Sequence, residues 1–343
     1  MRNDARVPSD VDRAVQIAVS LRHWLSREYD GAVIDAAPPG AVGDGFDAIV
    51  VAAQFAGETL PEEWRQPLIL RAPPNAERYP AADRETRLQT WCADHGYPAP
   101  RPVALLPPGE VDEFPVQVVA RAPGRTMTAV FTSRPWRLPA LVRRLAQAAA
   151  ALHALPVPPW ADGPDWSLAE RRLALPRHLL TLLPDPALRA GLDAVERLLP
   201  QLEAGRRTVC HGDFHPFNVL VQGRRLAVID WTDAGIGDPH GDVARTLLLF
   251  RVIGTAAPSA AERAVLGGIG PLLARRYLAT YRRRQPLDED RLRLWEPVHL
   301  LQLWAQALAD KHEIFGPSLA GVRFRHGLAS ILHERLQAAL AAA

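Results

Sequence analysis

Residues Val209–Asp242 read VCHGDFHPFNVLVQGRRLAVIDWTDAGIGDPHGD. His211, Asp213 and Asn218 stand in the order H-x-D-x-x-x-x-N. The apolar run Val219-Leu220-Val221 follows, then a Gln222-Gly223 turn, a second apolar run from Leu226 to Ile229, and Asp230. Two short apolar runs joined by a glycine turn read as a β-hairpin. The stretch therefore presents a loop with a carboxylate and an amide, and a second carboxylate at the far end of the hairpin.

That order suits phosphoryl transfer. In kinases one Asp accepts the proton of the attacking hydroxyl and an Asn holds magnesium, while a second Asp beyond a tight hairpin holds magnesium that bridges the phosphates. HGDFHPFN followed by VIDW resembles the aminoglycoside phosphotransferase and choline kinase group, small-molecule kinases with a protein-kinase-like fold. Gly212-Asp213 and Asp230-Trp231 match the variants usual in that group. The resemblance implies an α+β, bilobal fold. Residues 1–121 would form a small lobe of antiparallel sheet with one main helix, and residues 122–343 a larger, mainly helical lobe, with nucleotide between them. It also implies Asp213 as catalytic base, Asn218 and Asp230 as magnesium ligands, and ATP or GTP as phosphate donor. His211 is expected to orient the loop. His215 could touch phosphate or bond to backbone. Asp238 and Asp242 read as caps or braces for the loop, not as ligands.

Composition sets the frame. The 343 residues suit two lobes better than one small core. The hydrophobic content of 48% and charged content of 23% are ordinary for a globular enzyme. A formal net charge of +2 points to neither nucleic acid nor a membrane surface as partner. Cys92 and Cys210 are far apart without metal-type spacing, no apolar run reaches membrane-span length, and a reducing cytoplasm is expected. Lys311 is the sole lysine, so arginine carries the positive charge.

Upstream, Val11, Val15, Val19 and Trp24 suggest the apolar stripe of a packing helix through about Glu28. The glycine-bearing turn from Pro38 to Asp47, with Gly43 and Gly45, leads into a strand and would suit a lid whose backbone N–H groups approach phosphate. A buried strand Leu68-Ile69-Leu70 ends at Arg71, where the family usually has a lysine on the α- and β-phosphates. Arginine keeps the charge and grips phosphate bidentately, but it is longer than lysine. On the next helix Glu85 shares a face with Leu88 and is favoured over Asp83 as the partner of Arg71. The strand Val116–Ala120 ends at a Pro-Gly break. The resemblance places backbone groups near Val119 to Arg121 at the adenine edge.

Downstream, helices are expected from Leu138 to Leu155, from Ser167 to about Leu183, and from Pro186 to about Leu202 with Asp185 as N-cap. His153 reads as packing or surface. From Arg275 to the end the chain holds eleven Lys plus Arg against seven Asp plus Glu. Trp295 and Trp304, with His299 between them, read as core rather than cleft, and the slightly basic balance sets a macrolide-like or nucleoside-like hydroxylated acceptor ahead of a polycationic aminoglycoside. Two other readings use the same residues: a metallohydrolase built on His211, Asp213 and His215, and a catalytically inactive kinase fold that serves as a binding protein, motivated by Arg71.

Overall fold

The computed structural model of the protein describes residues 10–42, 48–73, 75–252, 260–312, 314 and 328–342. Gly43 and Gly45 lie outside these residues. The chain divides into two compact units. One comprises the chain up to Ala93 with Ala99–Ala122, and the other Asp94–Pro98 with the chain from Pro123 onward.

The first unit is a five-stranded antiparallel sheet with helices. Helix α1 (Asp10–Glu28) leads to β1 (Ile34–Ala41) and β2 (Ile49–Ala56), then the short α2 (Glu62–Arg65), β3 (Leu68–Ala72), α3 (Tyr79–Asp94), β4 (Pro102–Leu106) and β5 (Val116–Ala120). The strand order is β1-β2-β3-β5-β4. Alternation decides which side chains meet α1. Val51, Ala53 and Phe55 of β2 and Leu68, Leu70 and Ala72 of β3 share a core with it. Arg71, between two of these, therefore points to the opposite face of the sheet. Pro38 and Pro39, expected in a turn, lie inside β1, which pairs only with β2 and carries register shifts around Ala37. Such an edge tolerates proline because the missing N–H has no ladder partner to lose.

One expectation is extended here and another corrected. Beside α3, the one main helix that the resemblance implies, the small unit carries α1, which the resemblance did not include but the apolar stripe through Glu28 did suggest. The buried face of α1 is Ala14, Ile17, Ala18, Leu21 and Leu25, whereas Val15 is 39% exposed. Valine looked more apolar than alanine, but the i, i+3, i+4, i+7 row runs through the alanines.

The second unit is mainly helical. Its elements are β6 (Arg125–Thr126), α4 (Met127–Ser133), α5 (Leu138–Leu152), α6 (Leu168–Leu182), α7 (Pro186–Glu196), α8 (Leu199–Glu203), β7 (Thr208–Cys210), β8 (Val219–Gln222), β9 (Arg225–Val228), β10 (Gly235–Gly237), α9 (His240–Val252), α10 (Ala260–Tyr281), α11 (Glu289–Lys311) and α12 (Leu328–Ala342). The helix expected from Pro186 to Leu202 breaks into α7 and α8, while Asp185 caps α7 by accepting from Ala187 N (2.8 Å) and Leu188 N (2.9 Å). Helix α11 is buried nearly all round, with Trp295, His299 and Trp304 inside the core. These aromatics pack the fold and do not line an acceptor site. The β8–β9 hairpin forms as expected, but Gln222 pairs with Arg225, so its turn residues are Gly223, at φ +57°, and Arg224. At the break after β5, Gly124 has φ +124°, and a Cβ there would sit 2.8 Å from the Val221 carbonyl oxygen, so only glycine lets β6 lie against β8. Among the described residues no helix is long and apolar enough to cross a membrane.

The packing of α1 yields a contrast. Leu21→Ala should lower the unfolding free energy by about 2–5 kcal/mol, because the side chain is fully buried against the sheet. Val15→Ala should change it by only about 0.5 kcal/mol or less. Urea denaturation of the two variants measures both.

Candidate active site

The loop after β7 is fixed from beneath by one buried carboxylate. Asp242, at the start of α9, accepts the backbone N–H groups of His211 and Gly212, each at 2.7 Å. His153 Nε2 bonds to the same carboxylate at 3.1 Å, and its Nδ1 meets the Tyr281 hydroxyl at 2.7 Å. Burial pushes the Asp242 carboxyl up, but the hydrogen bond and charge of His153, with contributions from His211, outweigh it and hold the group below its ordinary range. Gly212 takes φ +79°, and a Cβ would lie 2.2 Å from Asp233 O, so the loop passes where only glycine fits. Asp242 is thus the brace it was expected to be. His153, expected to be packing or surface, is buried and is the partner of that brace.

His211 locks the loop to the hairpin. Its Nε2 donates to the Ile229 carbonyl (3.0 Å), which leaves Nδ1 to accept the Asp213 N–H (3.3 Å). Its ring packs against Trp231 and Phe214, with centroids 5.0 and 5.7 Å away. With both nitrogens engaged and no exposure, His211 has no lone pair for a metal. The metallohydrolase reading falls on that ground. Among the described residues, the group close enough for a metal is His153, Cys210 and Asp242. Asp242 is committed there, and burial pushes the Cys210 thiol well up, so it stays protonated.

Asp213 sits among cations. Arg245 Nε donates to Oδ1 at 2.8 Å, and His215 Nε2 lies 3.0 Å from Oδ2. The fully buried Arg172 brings Nη2 within 4.0 Å of Oδ1 and pairs through Nη1 with Asp233. Burial alone would raise the Asp213 carboxyl. The charges of His215, Arg245 and Arg172 win and hold it well below the carboxylate range. A carboxylate so held is a weak base and a firm hydrogen-bond acceptor, which suits orienting a hydroxyl. His215 therefore bonds to the Asp213 carboxylate, a partner the sequence reading did not consider for it.

Asn218 and Asp230 are brought together by the hairpin. Ile229 N donates to the Asn218 carbonyl (2.9 Å), which sets the residue before Asp230 beside Asn218. The Asn218 amide nitrogen donates to Asp213 O (3.0 Å) and Oδ2 (3.3 Å), leaving its side-chain oxygen as the outward donor. Asp230 holds φ +64°, rare for a side-chain-bearing residue, and accepts from Thr232 Oγ1 at 3.0 Å. An amide oxygen and an exposed carboxylate are hard donors and fit magnesium.

In the first unit, Arg71 forms the ion pair with Glu85 that was expected, and it also donates to Gln117 Oε1 at 3.3 Å. Gln117 Nε2 in turn reaches Thr86 Oγ1 (3.0 Å). Asp83 instead faces Arg87 at 3.9 Å. The assignment of Val119 and Arg121 to an adenine edge is narrowed. Val119 lies in the ladder opposite Ile69 and Pro102, and the Arg121 N–H already donates to the Pro67 carbonyl at 2.8 Å. β5 ends at Ala120 as expected, and the Arg121 N–H just beyond it is already committed to that carbonyl and has no capacity for a base edge.

Asp238 is a brace of another kind. Its carboxylate takes Arg291 and His240 as partners, together with the Trp295 indole N–H at 3.3 Å. It anchors α11 to the turn before α9. Arg172, Arg245 and Asp233 escaped the sequence reading. Arg245 follows the brace Asp242 by three residues, close to one helical turn, a spacing that could have flagged it. Arg172 lies on another helix, and nothing in its local sequence points to Asp213.

The sequence model of the phosphotransferase enzyme family matches residues 59–295. The aminoglycoside 3'-phosphotransferase of Streptomyces fradiae is 31% identical over 220 residues, covering 60% of this chain and 77% of that protein. Among solved structures, an aminoglycoside-3'-phosphotransferase of type VIII aligns with a TM-score of 0.57 at 20% identity, over 84% of this chain and 99% of its own. An amicoumacin kinase, in complex with AMP-PNP, calcium and its antibiotic, aligns with a TM-score of 0.56 at 16% identity, over 88% and 87%. The likeness to these structures establishes the protein-kinase-like fold.

The brace gives two expectations. Asp242→Ala leaves two buried N–H groups without an acceptor and should cost about 3 kcal/mol or more of stability, read from denaturant midpoints. Asp213, Asp238 and Asp242 all have native carboxyls below their ordinary values. Their stabilisation is therefore complete above the unfolded value of about 4 and is lost as pH falls through the native values. Acid unfolding of Asp242→Asn should depend less steeply on pH in that window, and an unchanged slope would count against the brace.

Proposed function

The chain belongs to the phosphotransferase enzyme family, and from that premise we propose that it moves the γ-phosphate of ATP or GTP to a hydroxyl of a small hydroxylated antibiotic or natural product. The observation that carries the reading is the joint placement of Asp213, Asn218 and the residue before Asp230 by one loop and one hairpin. The inactive-fold alternative rested on Arg71, which the Glu85 pair supplies as a positioned cation.

In this reading residues 1–121 form the nucleotide-lid lobe and residues 122–343 the catalytic lobe. Arg71, held by Glu85, neutralises charge on the α- and β-phosphates; its two bonded partners restrict the longer side chain that replaces lysine. The Asn218 side-chain oxygen and the Asp230 carboxylate would hold magnesium, whose charge would offset that of the phosphates. Asp213 accepts a hydrogen bond from the acceptor hydroxyl and aligns its oxygen for in-line attack. The carboxylate takes the proton late, once bonding to phosphorus has made the hydroxyl acidic. That order suits a base held at low basicity.

The acceptor class follows from charge. The two guanidiniums beside Asp213 are balanced by the Asp213 and Asp233 carboxylates, so the preference rests on the slightly basic balance of the chain from Arg275 onward. A neutral macrolide-like or nucleoside-like compound fits better. Trp295 and Trp304 are core, as expected, and take no part in this preference.

Calorimetric titration of ATP and GTP, with and without magnesium, should show magnesium-dependent binding. Asp213→Ala should cut transfer by about 10²–10⁴-fold while leaving that binding intact. Asp230→Ala should remove the magnesium dependence itself. Simultaneous loss of binding and transfer in Asp213→Ala would contradict its role.

A further inference from the structure

Over much of the described structure a guanidinium meets a carboxylate: Arg13 meets Asp112 and Glu113, Arg177 meets Glu170 and Glu196, and Arg251 meets Glu296. One face of the second unit departs from this. Residues 123–161 contain five arginines and no Asp or Glu, and residues 214–229 add two arginines and again no acid. The near-neutral total charge, which by itself points away from nucleic acid, averages over this segregation.

The fold brings the two segments together. Strand β6 pairs with β8, so Arg125 lies opposite Val221. Arg144 of α5 donates to the carbonyls of Gly223 (3.1 Å), Arg224 (2.8 Å) and Arg225 (3.1 Å), which ties the hairpin tip to α5. The turn Pro135–Arg137, packed between α4 and α5, sets Arg134 and Arg137 on either side of Trp136. Arg125, Arg134, Arg224 and Arg225 are exposed, and Trp136 is 74% exposed. Among the described residues none of these seven arginines pairs with a carboxylate. Burial, then the charges of Arg137 and Arg224, pull the Arg144 guanidinium below its ordinary value, so these cations repel one another uncompensated.

We propose that this face binds single-stranded RNA, its arginines on the phosphates and Trp136 stacked on a base. A guanidinium fork matches phosphate bidentately, and an exposed indole amid such cations offers a stacking platform. An anionic membrane would call for several apolar side chains entering the headgroup layer. The large exposed apolar side chains of this face are two rings, Trp136 and Phe217, with no exposed aliphatic side chain among them. An acidic peptide would leave those rings without a planar partner.

The test is fluorescence anisotropy of a labelled single-stranded RNA of mixed sequence, with excess AMP-PNP and magnesium present to occupy a nucleotide site. Affinity should fall steeply between about 50 and 200 mM salt. The double variant Arg224→Glu/Arg225→Glu should bind at least about tenfold more weakly, with a log–log salt slope shallower by about 1.4, the share of two phosphates on a single strand. Trp136→Ala should weaken binding by about tenfold with the slope unchanged. Arg137→Glu is an independent probe expected to weaken binding with a slope shallower by about 0.7, the share of one phosphate. Absence of RNA binding at the lowest salt, or variants that bind like the parent, would overturn the proposal. So would tighter capture by phosphatidylglycerol vesicles or polyglutamate, which would reassign the face to a membrane or an acidic protein segment.

Discussion

The Asp242 carboxylate is the constraint on which the rest of the site depends. It is buried, and it takes the N–H groups of two consecutive residues at the entrance to the loop. Those groups would otherwise be orphaned in the interior, a state that folded chains avoid. Because one end of the carboxylate is also tied to His153 and through it to Tyr281, the loop is referenced to α5 and α10 as well as to its own helix. Gly212 allows the close approach to Asp233, and His211 closes the other side against the hairpin. The result is a rigid seat for Asp213 that uses no long-range flexibility.

What the seat presents is an unusual carboxylate. Two guanidiniums and the His215 imidazole surround Asp213, and burial does not overcome their pull. Strong proton affinity and secure ionisation are opposed demands on one group. This site is built for the second. Phosphoryl transfer tolerates that choice, since positioning and charge neutralisation supply most of the catalysis and the proton moves late. The same cations shape the electrostatics in which the proposed acceptor has to dock.

Arginine does three different jobs in this chain. Arg71 is held in a bonded pair, Arg172 and Arg245 are buried beside a base, and the group around Arg144 stands exposed without acids. Residue type alone does not separate these cases. Burial and partner do.

The local pattern around Asp213 was legible because its elements are contiguous: loop, hairpin and carboxylate follow within a few turns of chain, and their hydrogen bonds close over short separations. Helix α3 with Glu85, the Asp185 cap and the strand ending in Arg71 were legible for the same reason, since periodicity and capping are local physics. The face of α1 was misread because alanine carries little apolar signal until a sheet covers it. Trp295 and Trp304, read as core from their spacing, are enclosed with α11. The roles of His153, Arg172 and Arg245 also waited for the tertiary structure, as their partners lie 89, 41 and 32 residues away in the chain. By itself the sequence determined which groups could do chemistry and in what order they come. Only the tertiary structure decided which charges surround them, because Coulomb and desolvation terms depend on distances through space that folding alone creates.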